Sequence, residues 1–473
     1  MATSLKPYPS YLDSGLPWLG EIPEHWCVRR NGRLFAERKE TGYEDLPILE
    51  VSLRTGVRVR DMVSGTRKQQ MADRSRYKRA VAGDIPYNMM RMWQGAVGMA
   101  PVDGLVSPAY VVARPFPEVD PRYYAYLFRT SAYMREVNKF SRGIVSDRNR
   151  LYWDEFKQMP SAFPPTEEQS RIADFLDAQG RLTTRLIRKK RRLLELLNEQ
   201  KQAIIDRAVT RGLNAQAQMK STGIDWMPRV PAHWELKPLK QIVKVLFSNV
   251  DKHSQEGECS VLLCNYTDVY KNDFIESDMP FMSATATAAE IKRFQLEVGD
   301  ILITKDSETW NDIGVPAVVS GELEGVLCGY HLALLRTDRE KILPMFLFRA
   351  LTASAIAQQF HTEATGVTRY GLSKLAVRNL LLPLPPLSEQ SALVEALLDA
   401  LKPFNTSASR VNQEIGLVRE YRERLIADVV TGKLDVRQVE IASPAGGPVL
   451  EEEFGEDDLP VEEMDEDFAE VEG

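Results

Sequence analysis

The stretch PWLGEIPEHW (residues 17–26) decides the fold, because it recurs as DWMPRVPAHW at residues 225–234. Four chemically unusual residues match between the copies, and each matched pair lies 208 residues apart. Since the chain has only 7 Trp and 5 His, these matches indicate an internal duplication. The matched pairs are Trp18/Trp226, Pro23/Pro231, His25/His233 and Trp26/Trp234.

The duplication continues along the chain. PPTEEQSRIADFL (164–176) corresponds to PPLSEQSALVEAL (385–397) at an offset of 221, which also aligns IIDRAVTRGLN (204–214) with LIADVVTGKLD (425–435). Between these elements the copies differ more, although GDIPYN at 83 still echoes GDILIT at 299. The chain is therefore two copies of one unit, each a divergent globular part followed by a more similar segment. A solenoid would repeat every 20–50 residues or so.

The more similar segments are predicted to be long helices. Each begins with Pro-Pro, followed by Thr166 or Ser388 as N-cap and acidic residues in the first turn. The three–four spacing of apolar or neutral residues is typical of a coiled coil. These positions are 172, 175, 179, 182, 186, 193, 197, 200 and 204 in the first copy, and 393, 397, 401, 404, 411, 415, 418, 425 and 429 in the second. Pro403 predicts a break or kink near 402–404. About 40 helical residues would reach roughly 60 Å, and two such stripes are expected to pack antiparallel.

The predicted fold class is α+β, with two pseudo-symmetric globular domains joined by two long antiparallel coiled-coil helices. Short β-rich runs among turn signals, each followed by a helix, predict the mixed character of both domains. The predicted segments are an N-terminal segment (1–19), the first domain (20–163), the first spacer helix (164–213), a linker (214–229), the second domain (230–384), the second spacer helix (385–437) and a disordered acidic tail (438–473).

The charge is distributed unevenly along the 473 residues. The net charge is −7, yet no Lys or Arg follows Arg437, whereas 14 Asp and Glu lie between Glu440 and Glu472. Residues 1–437 thus hold 60 basic and 53 acidic side chains, which suits an anionic partner. The tail has the composition of a disordered segment that keeps the protein soluble or shields the basic surface.

The sequence also predicts what the protein lacks. No apolar run approaches the roughly 18 residues of a membrane span, and MATSLKPYPS (1–10) has no apolar stretch typical of a secretion signal. The 4 Cys form no CxxC pair, so no metal site is predicted. We expect a cytoplasmic protein without cofactor or metal.

This layout resembles the specificity subunit of Type I restriction–modification enzymes. The resemblance rests on YPSYLDSGLPWLGEIPEHW with its repeat STGIDWMPRVPAHW, the two PP-x-x-EQ helix starts and the helix ends RAVTRGL and DVVTGKL, and it covers the chain to about residue 437. It implies a non-catalytic protein with two target recognition domains, each reading half of a bipartite double-stranded DNA site. It also implies helices that space the half-sites and dock two methyltransferase subunits, with restriction subunits joining the complex.

Candidate DNA-contact residues lie in two pairs of polar segments and one single basic stretch. The strongest are the loops FSRGIVSDRNRL (140–151) and TEATGVTRYGL (362–372), in which a glycine permits close backbone approach and arginine can pair with phosphate or guanine. The second is the basic stretch 67–79, where a solvated face is an equal alternative, and the third is NMMRMWQG (88–95) set against TKDSETWN (304–311). The candidates are Arg142, Arg148, Arg150, Arg91, Gln94, Lys78, Arg79, Lys305, Asn311, Thr368, Arg369 and Tyr370. Trp93 and Trp310 are expected in the core, and the two His–Trp pairs are expected to lock the domain entrances.

Other functions remain as alternatives. An active modifying enzyme is disfavoured, because the sequence has no G-x-x-x-x-G-K-[ST] loop and no NPPY or DPPY tetrapeptide, and no catalytic residue is predicted. A coiled-coil scaffold that binds proteins but not DNA is a second alternative, and it would lack salt-dependent DNA affinity. A specificity subunit of a methylation-only system is a third.

Overall fold

A computed structural model describes residues 5–53, 55–60, 74–143, 149–253 and 255–441. These residues form two compact units: unit 1 comprises the chain up to Lys190 together with the chain from Gln413, and unit 2 is Arg191–Asn412. The predicted acidic tail from residue 442 onward and the candidate Arg148 lie outside the described residues. The predicted domain boundaries stay predictions.

Unit 1 is built around the buried strand Tyr110–Pro115. Its strands are β1 Tyr11–Asp13, β2 Glu21–Pro23, β3 Cys27–Arg30, β4 Phe35–Arg38, β5 Leu49–Ser52, β6 Gly56–Val59, β7 Lys78–Ala80, β8 Ile85–Asn88, β9 Gly104–Val106, β10 Tyr110–Pro115 and β11 Pro160–Phe163. Its helices are α1 Pro121–Phe128, α2 Ser131–Phe140, α3 Trp153–Phe156 and the first part of α4 Thr166–Arg211. Strand β10 pairs antiparallel with both β4 and β8, and β11 pairs antiparallel with β3 before the chain enters α4.

Unit 2 repeats this plan with a larger sheet. Its strands are β12 Met219–Ser221, β13 Arg229–Pro231, β14 Glu235–Pro238, β15 Val243–Phe247, β16 Cys259–Cys264, β17 Phe274–Ile275, β18 Met282–Ala286, β19 Ile301–Thr304, β20 Asp306–Ser307, β21 Pro316–Val319, β22 Val326–Cys328, β23 Leu332–Thr337, β24 Thr365–Gly366, β25 Tyr370–Gly371 and β26 Leu381–Leu384. Its helices are α5 Tyr266–Tyr270, α6 Ala288–Phe294, α7 Pro344–Thr352, α8 Ser354–Glu363, α9 Lys374–Asn379 and the first part of α10 Leu387–Val430. The main sheet has the order β15-β23-β19-β21-β17.

The two units share one topology, which confirms the α+β class. Strand β23 pairs antiparallel with β15 and β19, as β10 does with β4 and β8. Strand β26 pairs antiparallel with β14, as β11 does with β3. Two helices follow the central strand in each unit, α1 and α2 in unit 1 and α7 and α8 in unit 2, and α1 and α7 each have Pro in the first turn.

The two long helices pack antiparallel in each unit. In unit 1 the core joins the start of α4, including Ile172 and Leu176, to the end of α10, including Leu425 and Val429. In unit 2 the core joins the end of α4, including Ile205 and Val209, to the start of α10, including Leu393 and Leu397. Each globular part thus buries apolar surface against one end of each helix.

The apolar stripe predicted for α4 was partly wrong. Leu182, Leu186 and Leu193 are exposed, with 58%, 42% and 44% of their surface accessible, while Thr183 and Ile187 are buried. The helix has two neighbouring rows of apolar residues, and three–four spacing alone does not say which row packs. The stripe predicted for α10 places its leucines correctly, since Leu393, Leu397, Leu401 and Leu425 are buried.

Two predictions about the helix backbone were wrong. Helix α10 runs without a break through Pro403. Pro403 and Asp399 are both exposed, so the carbonyl that loses its hydrogen bond to the proline can face water. Thr166 and Ser388 lie inside the first turns rather than at the N-caps, and the Thr166 hydroxyl donates to the Glu118 carbonyl at 3.0 Å. Within the described ranges, no helix has the length and apolar character needed to cross a membrane.

Candidate functional site

The repeated motif at residues 17–26 and 225–234 contacts a glutamate in the first turn of each long helix. In unit 1 the Glu168 carboxylate accepts from the Tyr8 hydroxyl at 2.6 Å and from the Trp26 indole N–H at 3.1 Å, and lies 2.8 Å from Nε2 of His25. Burial, and then the carboxylate itself, raises the pKa of Tyr8, so the hydroxyl keeps its proton and donates. In unit 2, His233 Nε2 lies 2.8 Å from Glu389. These contacts fit the entrance lock expected for the His–Trp pairs.

The adjacent glutamine has the same three partners in each unit. Gln169 accepts from the backbone N–H of Asp120 at 2.9 Å, and Gln390 accepts from that of Leu343 at 2.8 Å. Each side-chain amide also donates to two backbone carbonyls. The acceptors are Pro164 (2.8 Å) and Glu118 (3.3 Å) for Gln169, and Pro385 (2.9 Å) and Lys341 (3.0 Å) for Gln390. The EQ pair therefore fastens each long helix to the entrance and to the start of the helix that follows the central strand, α1 or α7.

The repeated Gly-Asp turn provides a buried anchor for the central sheet. Asp84 accepts from Nε of Arg38 at 2.6 Å, and Asp300 accepts from Nε of Arg336 at 2.9 Å. Each carboxylate also accepts from the backbone N–H three residues earlier. Because both aspartates are 2% exposed, the arginine that neutralises each one is needed for stability. The carboxylate in turn raises the pKa of its arginine in both units.

In unit 1, a backbone junction brings two of the predicted polar segments together. The Leu151 N–H donates to the Met89 carbonyl at 2.9 Å, and the Met89 N–H donates to the Ala109 carbonyl at 3.3 Å. Arg142 and Arg150 close the loop with two reciprocal backbone hydrogen bonds of 2.9 Å. The described ends of the loop therefore lie beside the segment at 88–95.

Unit 2 has the same junction at the corresponding residues. The Leu372 N–H donates to the Lys305 carbonyl at 2.8 Å, and the Lys305 N–H donates to the His331 carbonyl at 3.1 Å. Strands β20 and β24 both pair with β25, which joins the segment at 304–311 to the loop at 362–372. We call this arrangement the loop junction; its central residues are Met89, Ala109 and Leu151 in unit 1 and Lys305, His331 and Leu372 in unit 2.

A short hairpin projects from the loop junction of unit 2. Gly366 pairs with Tyr370, which leaves Val367, Thr368 and Arg369 at the exposed tip. Gly366 has φ 154°, and a Cβ there would lie 2.0 Å from the Arg369 carbonyl oxygen, so only glycine fits. Val367 is 91% exposed. The hairpin tip thus exposes the apolar side chain of Val367, the hydroxyl of Thr368 and the guanidinium of Arg369 side by side.

Comparison with known proteins finds sequences of one family that are similar to this chain. The model of the "Type I restriction modification DNA specificity domain" matches residues 231–416. A Methanocaldococcus jannaschii protein assigned as the type I restriction enzyme MjaX specificity subunit is 22% identical over 445 residues, or 89% of this chain and 96% of that protein. The type I restriction enzyme EcoKI specificity subunit of Escherichia coli (strain K12) is 21% identical over 327 residues, or 68% of each chain.

The chain is therefore similar to Type I restriction–modification specificity subunits along most of its length. Its fold agrees with a solved chain from work on "complex assembly and conformational transition of the type I R-M system". That chain superposes with a TM-score of 0.58 at 14% identity, covering 87% of this chain and 99% of that chain. At this identity the superposition shows the fold alone.

In unit 1, four predicted contact residues lie at or beside the loop junction. Arg142 is 76% exposed at its side chain and pairs with the nearly buried Glu155 at 2.6 Å. Gln94 is exposed and Arg91 half-buried, next to a 3₁₀ turn at Met92–Gln94 that ends in the left-handed Gly95. Arg150 is half-buried at the base of the loop.

Two other predicted residues of unit 1 have partners inside the unit. The Lys78 ammonium donates to the Tyr110 carbonyl at 2.6 Å, and burial lowers the pKa of this lysine. Arg79 pairs with Asp103 at 2.8 Å and with Glu40 at 3.1 Å. These contacts favour a structural role for both side chains.

In unit 2, the predicted contact residues surround the loop junction. Lys305 is half-buried, donates to the Ser248 carbonyl at 3.3 Å and lies 4.4 Å from the centre of the Tyr330 ring. Asn311 is exposed, and Tyr370 is half-buried beside the exposed Thr368 and Arg369.

The core position expected for Trp310 was wrong. Trp310 is 50% exposed and meets the His361 ring edge-to-face, with 6.2 Å between ring centres. Trp93, by contrast, packs partly buried against the unit 1 core and donates to the Met90 carbonyl. Trp310 lies in the turn after β20, where the indole stays at the surface.

Sequence reasoning missed two residues at the loop junction of unit 2. His331 Nδ1 lies 2.8 Å from Oδ2 of Asp306 and 3.2 Å from Nη2 of Arg369. Tyr330, beside His331, is 49% exposed. The signal was the alignment of LVSPAYVVARP (105–115) with VLCGYHLALLRT (326–337), which places Tyr330 and His331 at the turn into the central strand. The described residues contain no cluster of His, Cys, Asp or Glu suited to a metal ion.

Proposed function

We propose that this protein is a specificity subunit that reads a bipartite double-stranded DNA site, with each unit reading one half through its loop junction. The observation that carries the proposal is the loop junction itself: the same backbone hydrogen bonds recur in both units, while the side chains on them differ. A shared frame with different side chains suits two readers of different bases. Two copies in one chain also suit two separated half-sites, as two-fold repressors suit palindromes.

The chemistry of the exposed side chains supports DNA as the ligand. Arg142, Arg369 and Asn311 are exposed, and Arg and Asn are the side chains that read guanine and adenine edges in the major groove. Lysine and arginine that contact phosphates contribute affinity without sequence information. Arg91, Gln94, Arg150, Lys305, Thr368 and Tyr370 complete the proposed contact set.

The long helices are proposed to dock two methyltransferase subunits, with restriction subunits joining the complex, and to set the distance between half-sites. In unit 1, Leu182 and Leu186 lie one helical turn apart on α4, and Leu417 and Tyr421 lie one turn apart on α10. All four are exposed, at 58%, 42%, 63% and 57%. Apolar side chains in such rows mark protein interaction surfaces.

A protein in this role carries no catalytic residues of its own, because methyl transfer and cleavage belong to the partner subunits. It works where the DNA is, which in a prokaryote is the cytoplasm. A methylation-only system differs solely in the absence of restriction subunits, and co-purification from the native host distinguishes the two.

DNA binding by the complex with methyltransferase subunits tests the reading function. Arg369→Ala is expected to weaken binding to the DNA sequence that the complex methylates by about 5- to 150-fold. This is the range for losing one bidentate base contact. Lys240→Ala is the matched control, since Lys240 is an exposed cation of unit 2 that bonds Asn379 away from the loop junction. A scaffold that does not read DNA would show equal binding for both variants and no loss of affinity with salt.

Docking is tested separately by Leu182→Ser with Leu186→Ser. The double variant is expected to lose co-purification with methyltransferase subunits, because two exposed apolar contacts are replaced by hydroxyls. Arg185→Ser, at an exposed position between them, is the control and should retain the partners. Retention by the double variant at unchanged helix content, measured by circular dichroism, would show that docking occurs elsewhere.

A further inference from the structure

Three charged or titratable side chains meet at the loop junction of unit 2. His331 Nδ1 is 2.8 Å from the Asp306 carboxylate and 3.2 Å from the Arg369 guanidinium. The His331 and Asp306 side chains are 39% and 25% exposed, and Arg369 is exposed at the hairpin tip. The cluster therefore lies at the surface where the reading function is proposed, and Asp306 is its more buried end.

A single ring nitrogen cannot serve both neighbours at once. With a proton on Nδ1, His331 donates to Asp306 and offers Arg369 nothing; without that proton, it accepts from Arg369. In one tautomer Asp306 fixes the ring, and in the other the ring accepts from Arg369. Because the carboxylate and the guanidinium both lie within 3.2 Å of this nitrogen, they also attract each other across it. Arg369 has five N–H donors, so it can donate one to Nδ1 and still present others to a base edge.

Unit 1 has the same backbone without this cluster. The residue that occupies the position of His331 is Ala109, because both carbonyls accept the equivalent N–H, from Met89 in unit 1 and from Lys305 in unit 2. The next residue along the segment is Met90 in unit 1 and Asp306 in unit 2. The loop junction has the same backbone hydrogen bonds in both units, but it carries apolar side chains in unit 1 and a carboxylate–imidazole pair in unit 2. This difference concerns recognition chemistry rather than folding.

We propose that His331 is a positioning residue, anchored by Asp306, that orients Arg369 toward a guanine in the second half-site. The proposal rests on the reading function proposed above and names the base class that unit 2 reads. Guanine is the base whose major-groove edge offers two acceptors, O6 and N7, to a guanidinium. Restricting the guanidinium before binding lowers the entropy lost on contact, so His331 contributes to sequence preference more than to general affinity.

The experiment selects preferred sequences from a randomised DNA pool with the complex of this chain and methyltransferase subunits. His331→Ala, which installs the residue of unit 1, is expected to reduce the guanine preference at one position of the second half-site by roughly three- to tenfold, part of the full contact. The first half-site is expected to stay unchanged. His331→Asn places an amide group near the position of Nδ1 and is expected to restore most of the preference.

Asp306→Asn is the second variant, and it should weaken the preference without removing Arg369 or the imidazole. Unchanged preference in both His331→Ala and Asp306→Asn, alongside a loss in Arg369→Ala, would overturn the positioning role and leave the reading function intact. Uniform weakening on all sequences by Arg369→Ala would identify a phosphate contact and would also overturn it. Unchanged DNA binding by all three variants would instead reject the reading function.

Discussion

The glutamate in the first turn of each long helix, Glu168 or Glu389, has a different environment in the two units. Glu168 is 6% exposed at its side chain and binds three side chains, including Tyr8, which lies before the repeated motif. Glu389 is 27% exposed and binds His233, and within the described part of the chain the buried indole N–H of Trp234 has no hydrogen-bond partner. Both units therefore contain the repeated motif, but whether its polar groups find hydrogen-bond partners depends on residues outside the motif.

The largest expected difference follows from removing these carboxylates. Glu168→Ala leaves two buried donors, Tyr8 and Trp26, without an acceptor and should destabilise unit 1 by about 3–5 kcal/mol. Glu389→Ala exposes His233 to water and should cost about 1 kcal/mol or less. Hydrogen exchange of peptides covering 21–30 and 229–238 measures each unit separately. Glu168→Gln keeps an acceptor; it is the control and should recover most of the lost stability. Equal destabilisation by the two alanine variants would contradict the difference between the units.

The glycines that end the long helices should differ in the same direction. Both have positive φ, but a Cβ on Gly432 would lie 2.3 Å from Pro23 Cδ, whereas on Gly212 its nearest neighbour is Trp234 at 3.1 Å. Gly432→Ala therefore adds overpacking to backbone strain and should cost about 2–4 kcal/mol, against about 1–2 kcal/mol for Gly212→Ala. Thermal unfolding followed by hydrogen exchange checks the order; a greater loss from Gly212→Ala would contradict it.

Replacing Gln169 or Gln390 should destabilise the two units equally, in contrast to replacing the neighbouring glutamates. Gln169 and Gln390 are fully buried and have equivalent backbone partners, so replacement of either by Leu leaves the same three backbone groups unpaired. We expect similar costs of about 2–3 kcal/mol in the two units. Different costs, by the same exchange measurement, would show that the symmetry of the contacts does not extend to their energies.

The smallest expected effect concerns pH. Burial lowers the pKa of Lys305, whose position in unit 1 is occupied by Met89. The lysine is charged below its lowered pKa and loses its proton before ordinary lysines as pH rises, so affinity for DNA should fall roughly two- to fivefold on alkaline titration. Lys305→Arg keeps its charge and should remove that decline. A decline of the same size in the variant would place its origin elsewhere.

The sequence predicted the features that depend on local pattern and repetition. The two matched units and the long helices follow from repeated motifs, and the leucines of α10 follow from spacing. The stripe of α4 was partly missed because Leu182 and Ile187 belong to two apolar rows, and only the tertiary partner selects one. Pro403 was misjudged because an exposed helix face tolerates a lost hydrogen bond.

The chemistry of the loop junction could not be predicted in the same way. His331, Asp306 and Arg369 are far apart in sequence. The pairing of β20 and β24 with β25 brings Asp306 close to Arg369, and the pairing of β19 with β23 brings His331 close to Asp306. His331 lies in a run that reads as a buried strand, which conceals a half-exposed turn residue. Side chains brought together by non-local strand pairing leave no spacing signal in a single sequence.

The central claim is that each unit reads one half-site, and sequencing of DNA methylation tests it most directly. Residues 20–163 are replaced by the same region of a relative, the chain is expressed with its methyltransferase subunits, and the methylated motifs are compared with those of the wild-type complex. We predict that one half of a split motif changes and the other half stays the same. A change in both halves, or in neither while methylation persists, would contradict the two-reader account.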